Sequence, residues 1–296
     1  MELRQILSTK SACVESWLHG WMDGLGKAER YPRRLLEAAA WSLFAGGKRL
    51  RPALCLLVND ACGSPEGRVL PLAGALEMIH TYSLIHDDLP PMDDDELRRG
   101  IPTCHIKFDE ATAILAGDAL LTEAFACLAT LDDRDVIPDI VSGLARAAGF
   151  GGMVAGQMAD IGAERGYLPG DSATLEFIHA NKTGALLEAS VLLPGLVNHL
   201  DSDRIAELAA YGRSIGLAFQ IADDVLNETA DAATLGKPTG TDREAGKLTW
   251  TSIHGIEKAR EMANREVENA CRVLADWGPA AEPLRMLARY MVEREY

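Results

Sequence analysis

The decisive stretch is LPLAGALEMIHTYSLIHDDLPPMDDDELRRG, residues 70–100. From Leu70 to Leu89 it is strongly apolar, with Pro71 just inside a helix start, which predicts a helix buried in the core. Pro90 and Pro91 end or sharply redirect it, because proline lacks a backbone donor and disfavours helical geometry in the residue before it. Asp87 and Asp88 therefore fall in the last turn, where the helix dipole disfavours negative charge. Carboxylates at that end of a core helix are costly unless a cation neutralises them. Oxygen-only ligands with room for waters suit Mg2+, an ion usually held by one or two carboxylates plus substrate phosphates.

A second acidic pair, Asp223-Asp224, lies in FQIADDVLN (219–227), near the C-terminal end of another helical segment. Gln220, Asp223 and Asn227 are spaced i, i+3, i+7 and share one helix face. Two such helices facing each other are expected to form an acidic cleft that repels a diphosphate until metal ions bridge them. The cations are grouped as well. GGKRLRP (46–52) places Lys48, Arg49 and Arg51 behind a Gly-Gly turn, and Arg98-Arg99-Gly100 follows the first acidic cluster. Lys182-Thr183-Gly184 lies in a predicted helix, and Lys237 and Lys247 flank a glycine-containing loop. His80, two turns before Asp87 on the same face, is a candidate phosphate donor. Arginine forks and lysine point charges are the usual hands for two phosphate groups.

Outward from these motifs, the pattern is helical almost throughout. Apolar residues recur at three- and four-residue spacing near 33–45, 53–63, 71–89, 110–131, 139–161, 172–193, 203–230, 252–276 and 281–294. Ser172 and either Asp201 or Ser202 are expected N-caps. Turn-rich breaks fall at 20–33, 161–171, 231–247 and 276–283, none of them a long low-complexity linker. The expectation is one all-α domain of about ten or more helices spanning residues 1–296. An apolar share of 48% is enough for a large core and excludes disorder. A net charge of −15 argues against non-specific binding to nucleic acid or an anionic membrane, so any anionic ligand needs the local cations or metal ions. Six cysteines without a C-x-x-C pair read as reduced thiols. With no secretory signal and no apolar run near the 18 or so residues needed to span a bilayer, the expected compartment is the cytoplasm, without stable membrane insertion.

GGKRLRP (46–52), HTYSLIHDDLPPMDDDELRRG (80–100), GDALLTEAF (117–125), KTGALL (182–187), FQIADD (219–224) and LGKPTGTD with its trailing GK (235–247) together resemble the trans-isoprenyl diphosphate synthases, the bacterial farnesyl diphosphate synthase branch most of all. The similarity covers most of the chain in the family's order. It implies an isoprenoid synthase fold around a central cavity, a homodimer, and head-to-tail condensation of isopentenyl diphosphate (IPP) with dimethylallyl and then geranyl diphosphate. Three or so Mg2+ ions are implied, held by Asp87 and Asp93 with Asp88 beside them, and by Asp223 with Asp224 in support. By the same resemblance, Lys48, Arg51, His80 and Arg99 hold the diphosphate of IPP, while Arg98, Lys182 and Lys237, with Lys247 near, hold that of the allylic substrate. Thr183 and Gln220 match positions that stabilise the allylic cation, and Tyr82 and Ser83 match the cavity floor. An aromatic at Tyr82 is the family's pattern for stopping at fifteen carbons, that is, farnesyl diphosphate.

Departures from the family's pattern cluster near the second motif, where Ala230 stands in place of the usual glycine and Thr251 in place of the proline of K-x-T-Y-P. Asn227 replaces the last aspartate of the family's second D-D-x-x-D motif, and Trp250 the tyrosine of its K-x-T-Y-P element. Both weigh towards a non-catalytic partner subunit of a prenyl synthase; the complete first motif, Lys182 and Gln220 weigh against it. A geranylgeranyl product is the enzymatic alternative. A terpene cyclase would leave GGKRLRP and Arg98-Arg99 without a purpose.

Overall fold

The computed structural model describes residues 2–28, 30–229 and 248–293. It is all-α but for one two-residue hairpin among the described residues. Its residues pack as two compact units, Met1–Asn59 with Ser64–Val141, and Asp60–Gly63 with Ser142–Tyr296.

The first unit contains α1 (Leu3–Gly26), α2 (Arg33–Leu43), most of α3 (Leu50–Ala61), α4 (Leu70–Asp87), α5 (Cys104–Lys107), α6 (Glu110–Leu128) and the start of α7 (Ile137–Ala148). The sequence reading did not anticipate α1; its inward stripe is Lys10, Val14, Leu18 and Met22, a four-residue repeat diluted by polar neighbours. α4 is buried on nearly every face, from Leu72 through Ile79, and packs against α6, α1 and α2. Each such fully buried aliphatic side chain contributes about 1.5–3 kcal/mol relative to exposure. Gly74 lets Trp17 of α1 lie against the α4 backbone, since a Cβ there would sit 2.2 Å from the indole. α6 is long and apolar enough by length and composition to cross a membrane, contrary to the reading that no run approaches that length. It carries Asp118 and Glu123 and packs along α4 and α2 as a core helix does.

The hairpin pairs β1 (Leu97–Arg98) with β2 (Ile101–Pro102). Its two-residue turn, Arg99-Gly100, has φ of 54° and 81°, the left-handed pair that matches strand twist. The turn thus fixes where the two adjacent arginines point.

The second unit holds α8 (Met153–Glu164), α9 (Ser172–Ile178), a π-helical turn (His179–Gly184), α10 (Ala185–Val197), α11 (Ser202–Thr229), α12 (Trp250–His254), α13 (Ile256–Val273) and α14 (Glu282–Glu293). α11 is its central element, lying against α10 and α13. Three expected single helices are each broken. The 139–161 segment divides between α7 and α8 around Gly149–Gly152, and the 252–276 segment divides at Gly255, with φ of 79°. The 172–193 segment is interrupted by the π turn. The N-cap of α9 is Asp171 rather than Ser172, its carboxylate accepting from Thr174 N–H at 2.9 Å. Asp201 caps α11 through Arg204 N–H.

Candidate active site

In the first unit, the backbone after α4 folds so that Asp93 N–H donates to Asp87 O at 2.9 Å, returning Asp93 beside Asp87. Asp93 is exposed and Asp87 half-buried, an all-oxygen pair at the negative end of a helix dipole, and this donor set fits Mg2+. Among the described residues no group of three or more His, Cys, Asp or Glu could hold a metal alone, so substrate or water oxygens would complete the shell.

Asp88 behaves differently. It is 3% exposed and receives Arg98 Nε at 2.6 Å, while Arg98 Nη2 also reaches Asp95 at 3.2 Å. Burial raises the Asp88 carboxyl above its ordinary range even with Arg98 beside it. The Asp88 carboxylate is thus engaged in fixing Arg98, beside the Asp87–Asp93 pair.

The cations divide in the same way. Arg49, at φ 45°, is buried and donates to Glu77 at 2.6 Å, Leu43 O at 2.6 Å and Glu15 at 3.2 Å. It is a packing cation. Arg51 and Arg99 lie close enough to His80 that burial first, and then these two guanidiniums, hold its imidazole well below the usual range. His80 is thus a neutral donor at pH 7. Burial lowers Arg51 to about 10 against the pull of Glu77, which leaves it cationic, and its buried Nε meets no hydrogen-bond partner. Arg99 donates to Gly46 O across Gly47, at φ 123°, where a Cβ would collide with the guanidinium. Lys48 is exposed on the same loop. Arg51, His80 and Arg99 lie near one another, and two mutually repelling cations with an unsatisfied N–H call for an anion.

On α4, Tyr82 is 6% exposed, its ring edge-on to His86 at 5.8 Å between centroids. Burial, then Asp87, pushes its phenol up to about 12. Ser83 Oγ turns back to donate to His80 O at 2.9 Å.

In the second unit the π turn carries Lys182 and Thr183 and packs against α8 and α11. On α8, a Cβ at Gly156 would sit 2.1 Å from the Lys182 backbone nitrogen. On α11, a Cβ at Gly216 would sit 3.1 Å from Gly184 Cα. Gln220, Asp223 and Asn227 follow Gly216 at i+4, i+7 and i+11, on the face that meets the turn. Lys182 Nζ lies 2.5 Å from Asp160 Oδ2. Asp224 Oδ2 accepts the Trp250 backbone N–H at 2.7 Å, and Thr249 caps α12 through a capping box with Ser252. Lys237 and Lys247 lie outside the described residues.

Sequence reasoning missed Gln157 and Asp160. Their i, i+3 spacing in the GQMAD of α8, behind a glycine, was the available signal. It also missed His179, buried and three residues before Lys182.

On a helical scaffold the described residues thus combine a cluster of cations with a pair of carboxylates at a helix end, groups that suit a phosphorylated anion and a divalent metal. Comparison with known proteins is more specific. The Polyprenyl synthetase family model matches residues 33–275. A farnesyl diphosphate synthase of Escherichia coli (strain K12) is 46% identical over 270 residues, 88% of this chain and 89% of that protein. The heterodimeric geranylgeranyl pyrophosphate synthase large subunit 1, chloroplastic, of Arabidopsis thaliana is 46% identical over 90% of this chain and 74% of its own length. The apo crystal structure of a FPP/GFPP synthase from Zymomonas mobilis superposes with a TM-score of 0.86 at 37% identity, covering 98% of this chain and 99% of that one. The chain belongs to the polyprenyl synthetase family: it is a prenyltransferase that elongates trans-prenyl chains from isoprenoid diphosphates.

Proposed function

We propose that the chain condenses IPP with dimethylallyl and then geranyl diphosphate and releases farnesyl diphosphate. The Arg51 and Arg99 cations beside neutral His80, which repel one another until an anion arrives, carry this reading. With exposed Lys48 it would hold the IPP diphosphate. Lys182, held by the π turn, and Arg98, held by Asp88, would grip the allylic diphosphate, with Lys237 and Lys247 assigned there by resemblance. Mg2+ held by Asp87 and Asp93, with Asp223 assigned to the metal by resemblance alone, would supply positive charge to the leaving diphosphate. The allylic C–O bond breaks with its electron pair leaving on diphosphate. The Thr183 hydroxyl and Gln220 carbonyl dipoles oppose the cation's charge without forming a bond to it. The IPP double bond then forms the new C–C bond, and the departing diphosphate accepts the proton lost next to it.

Buried Tyr82 supports a fifteen-carbon product. Relatives named as geranylgeranyl synthases at matching identity support a twenty-carbon one. Incubation with IPP, dimethylallyl diphosphate and Mg2+, followed by chromatography of the dephosphorylated products, decides between them. A Tyr82→Ala variant should lengthen the product; unchanged length means Tyr82 is not the floor.

A homodimer belongs to the same proposal, supported by exposed Ile114 and Leu115 on α6 and Val154 and Met158 on α8. Sedimentation of the purified chain tests it. Six free cysteines support a reducing, cytoplasmic setting.

A further inference from the structure

We propose that Trp250 and His179 form a positioning pair that sets the π turn presenting Lys182 and Thr183, and ties that turn to the second acidic motif. Trp250 Nε1–H donates to His179 Nδ1 at 2.7 Å, and the Trp250 backbone N–H donates to Asp224 Oδ2 at 2.7 Å. One residue therefore touches both the start of the π turn and the Asp223-Asp224 pair. Trp250 is 2% and His179 7% exposed, so neither group has water to replace its partner. Accepting at Nδ1 places the imidazole proton on Nε2.

His179 is the first residue of the π turn, and its carbonyl lies 3.0 Å from where a Gly184 Cβ would be. A π turn carries one residue more per hydrogen-bonded ring than an α turn, so it persists only where its surroundings hold it. Gly156 and Gly216 admit the turn by close backbone approach on two sides. The indole bond supplies a directional contact at the turn's start. Trp250 is itself locked by Leu175, Ile221, Val225, Ala259 and Ala263, with the His254 ring stacked at 5.3 Å. Tryptophan at this position is thus a functional departure from the family's tyrosine: its N–H reaches an acceptor already built into the turn.

The inference rests on the reading that Lys182 and Thr183 serve the allylic substrate, and the test separates the two. Steady-state kinetics on Trp250→Phe and His179→Leu should show allylic kcat/KM lowered about five- to tenfold, the worth of one neutral hydrogen bond. The KM for IPP should not move. His179→Asn keeps an acceptor where Nδ1 lies and should retain near wild-type kinetics, while the double variant Trp250→Phe/His179→Leu should be no worse than either single one. The 15N shifts of His179 should report the Nε2–H form in the wild type and lose that bias in Trp250→Phe. Lys182→Ala is the control. If it lowers allylic kcat/KM while Trp250→Phe and His179→Leu do not, the positioning role is overturned. If Lys182→Ala also has no effect, the allylic assignment itself fails. Should Trp250→Phe not fold, His179→Leu against His179→Asn decides alone: equal kinetics in the two overturn the pair.

Discussion

Removing Arg98 tests whether Asp88 is a metal ligand or a buried counter-ion. In Arg98→Ala the Asp88 carboxylate, 3% exposed, loses the guanidinium 2.6 Å away. Breaking a buried ion pair from one side costs about 3–5 kcal/mol, and with the Arg98 side chain 28% exposed the lower end, about 3 kcal/mol, applies. That energy disfavours the ionised form, so it raises the folded-state pKa of Asp88 further above its ordinary range. The sign follows. A carboxyl whose folded pKa lies above its unfolded value binds its proton more tightly when folded. Its contribution to stability is full below about pH 4 and is lost as pH rises through the folded pKa. Urea unfolding of Arg98→Ala, followed by circular dichroism, should therefore show a deficit that is small at pH 4 and full by pH 7. Arg98→Ala/Asp88→Asn should regain most of it, because both charges are gone. Asp88→Asn should also leave the Mg2+ dependence of activity close to wild type, while Asp87→Asn raises the Mg2+ requirement. A deficit independent of pH and unrelieved by the second substitution would refute the reasoning.

Gly156→Ala drives a methyl into the Lys182 backbone, and with backbone on both sides nothing flexible can yield. The expected loss is about 1–3 kcal/mol of stability and about a hundredfold in kcat from the displaced turn, with IPP binding intact; full activity sinks the close-packing account. Asn227→Asp restores an anionic ligand on the α11 face and should lower the Mg2+ concentration needed for half-maximal rate; identical titrations mean Asn227 does not touch the metal. Burial holds His179 at about 4, below the ordinary imidazole range. Its unfolded form takes up a proton first, so stability is present above about pH 6.5 and falls by about 3 kcal/mol as pH drops to 4. His179→Asn should lose that part of the acid profile, and an unchanged profile contradicts it.

What was legible in the sequence was whatever rests on neighbours along the chain. The burial of α4 and its abrupt end follow from apolar density and Pro90-Pro91, and the cations of 46–52 and 98–99 are visible as groups. What was not legible depends on contacts that only the fold makes. Arg49 reads like Lys48 and Arg51, yet its role comes from Glu77, 28 positions on, and Glu15, 34 positions back. Asp88 reads like Asp87 until the Arg99-Gly100 turn swings Arg98 back across ten residues. The π turn is hidden because apolar spacing runs through it unbroken; only Gly156, Gly184 and Gly216, all small where backbones meet, hint at it.

A common rule links these cases. Three charged runs each spend a member on the protein: Arg49 on Glu77, Asp88 on Arg98, Asp224 on the Trp250 backbone. The spent members fix the geometry of their neighbours, which a flexible surface lysine or aspartate could not do, since each ordered long side chain costs rotamer entropy on binding. Counting charges in a motif therefore overstates what a diphosphate meets and understates how rigidly it is met. Substituting a spent member should move stability first and substrate affinity second, and substituting its neighbour should do the reverse.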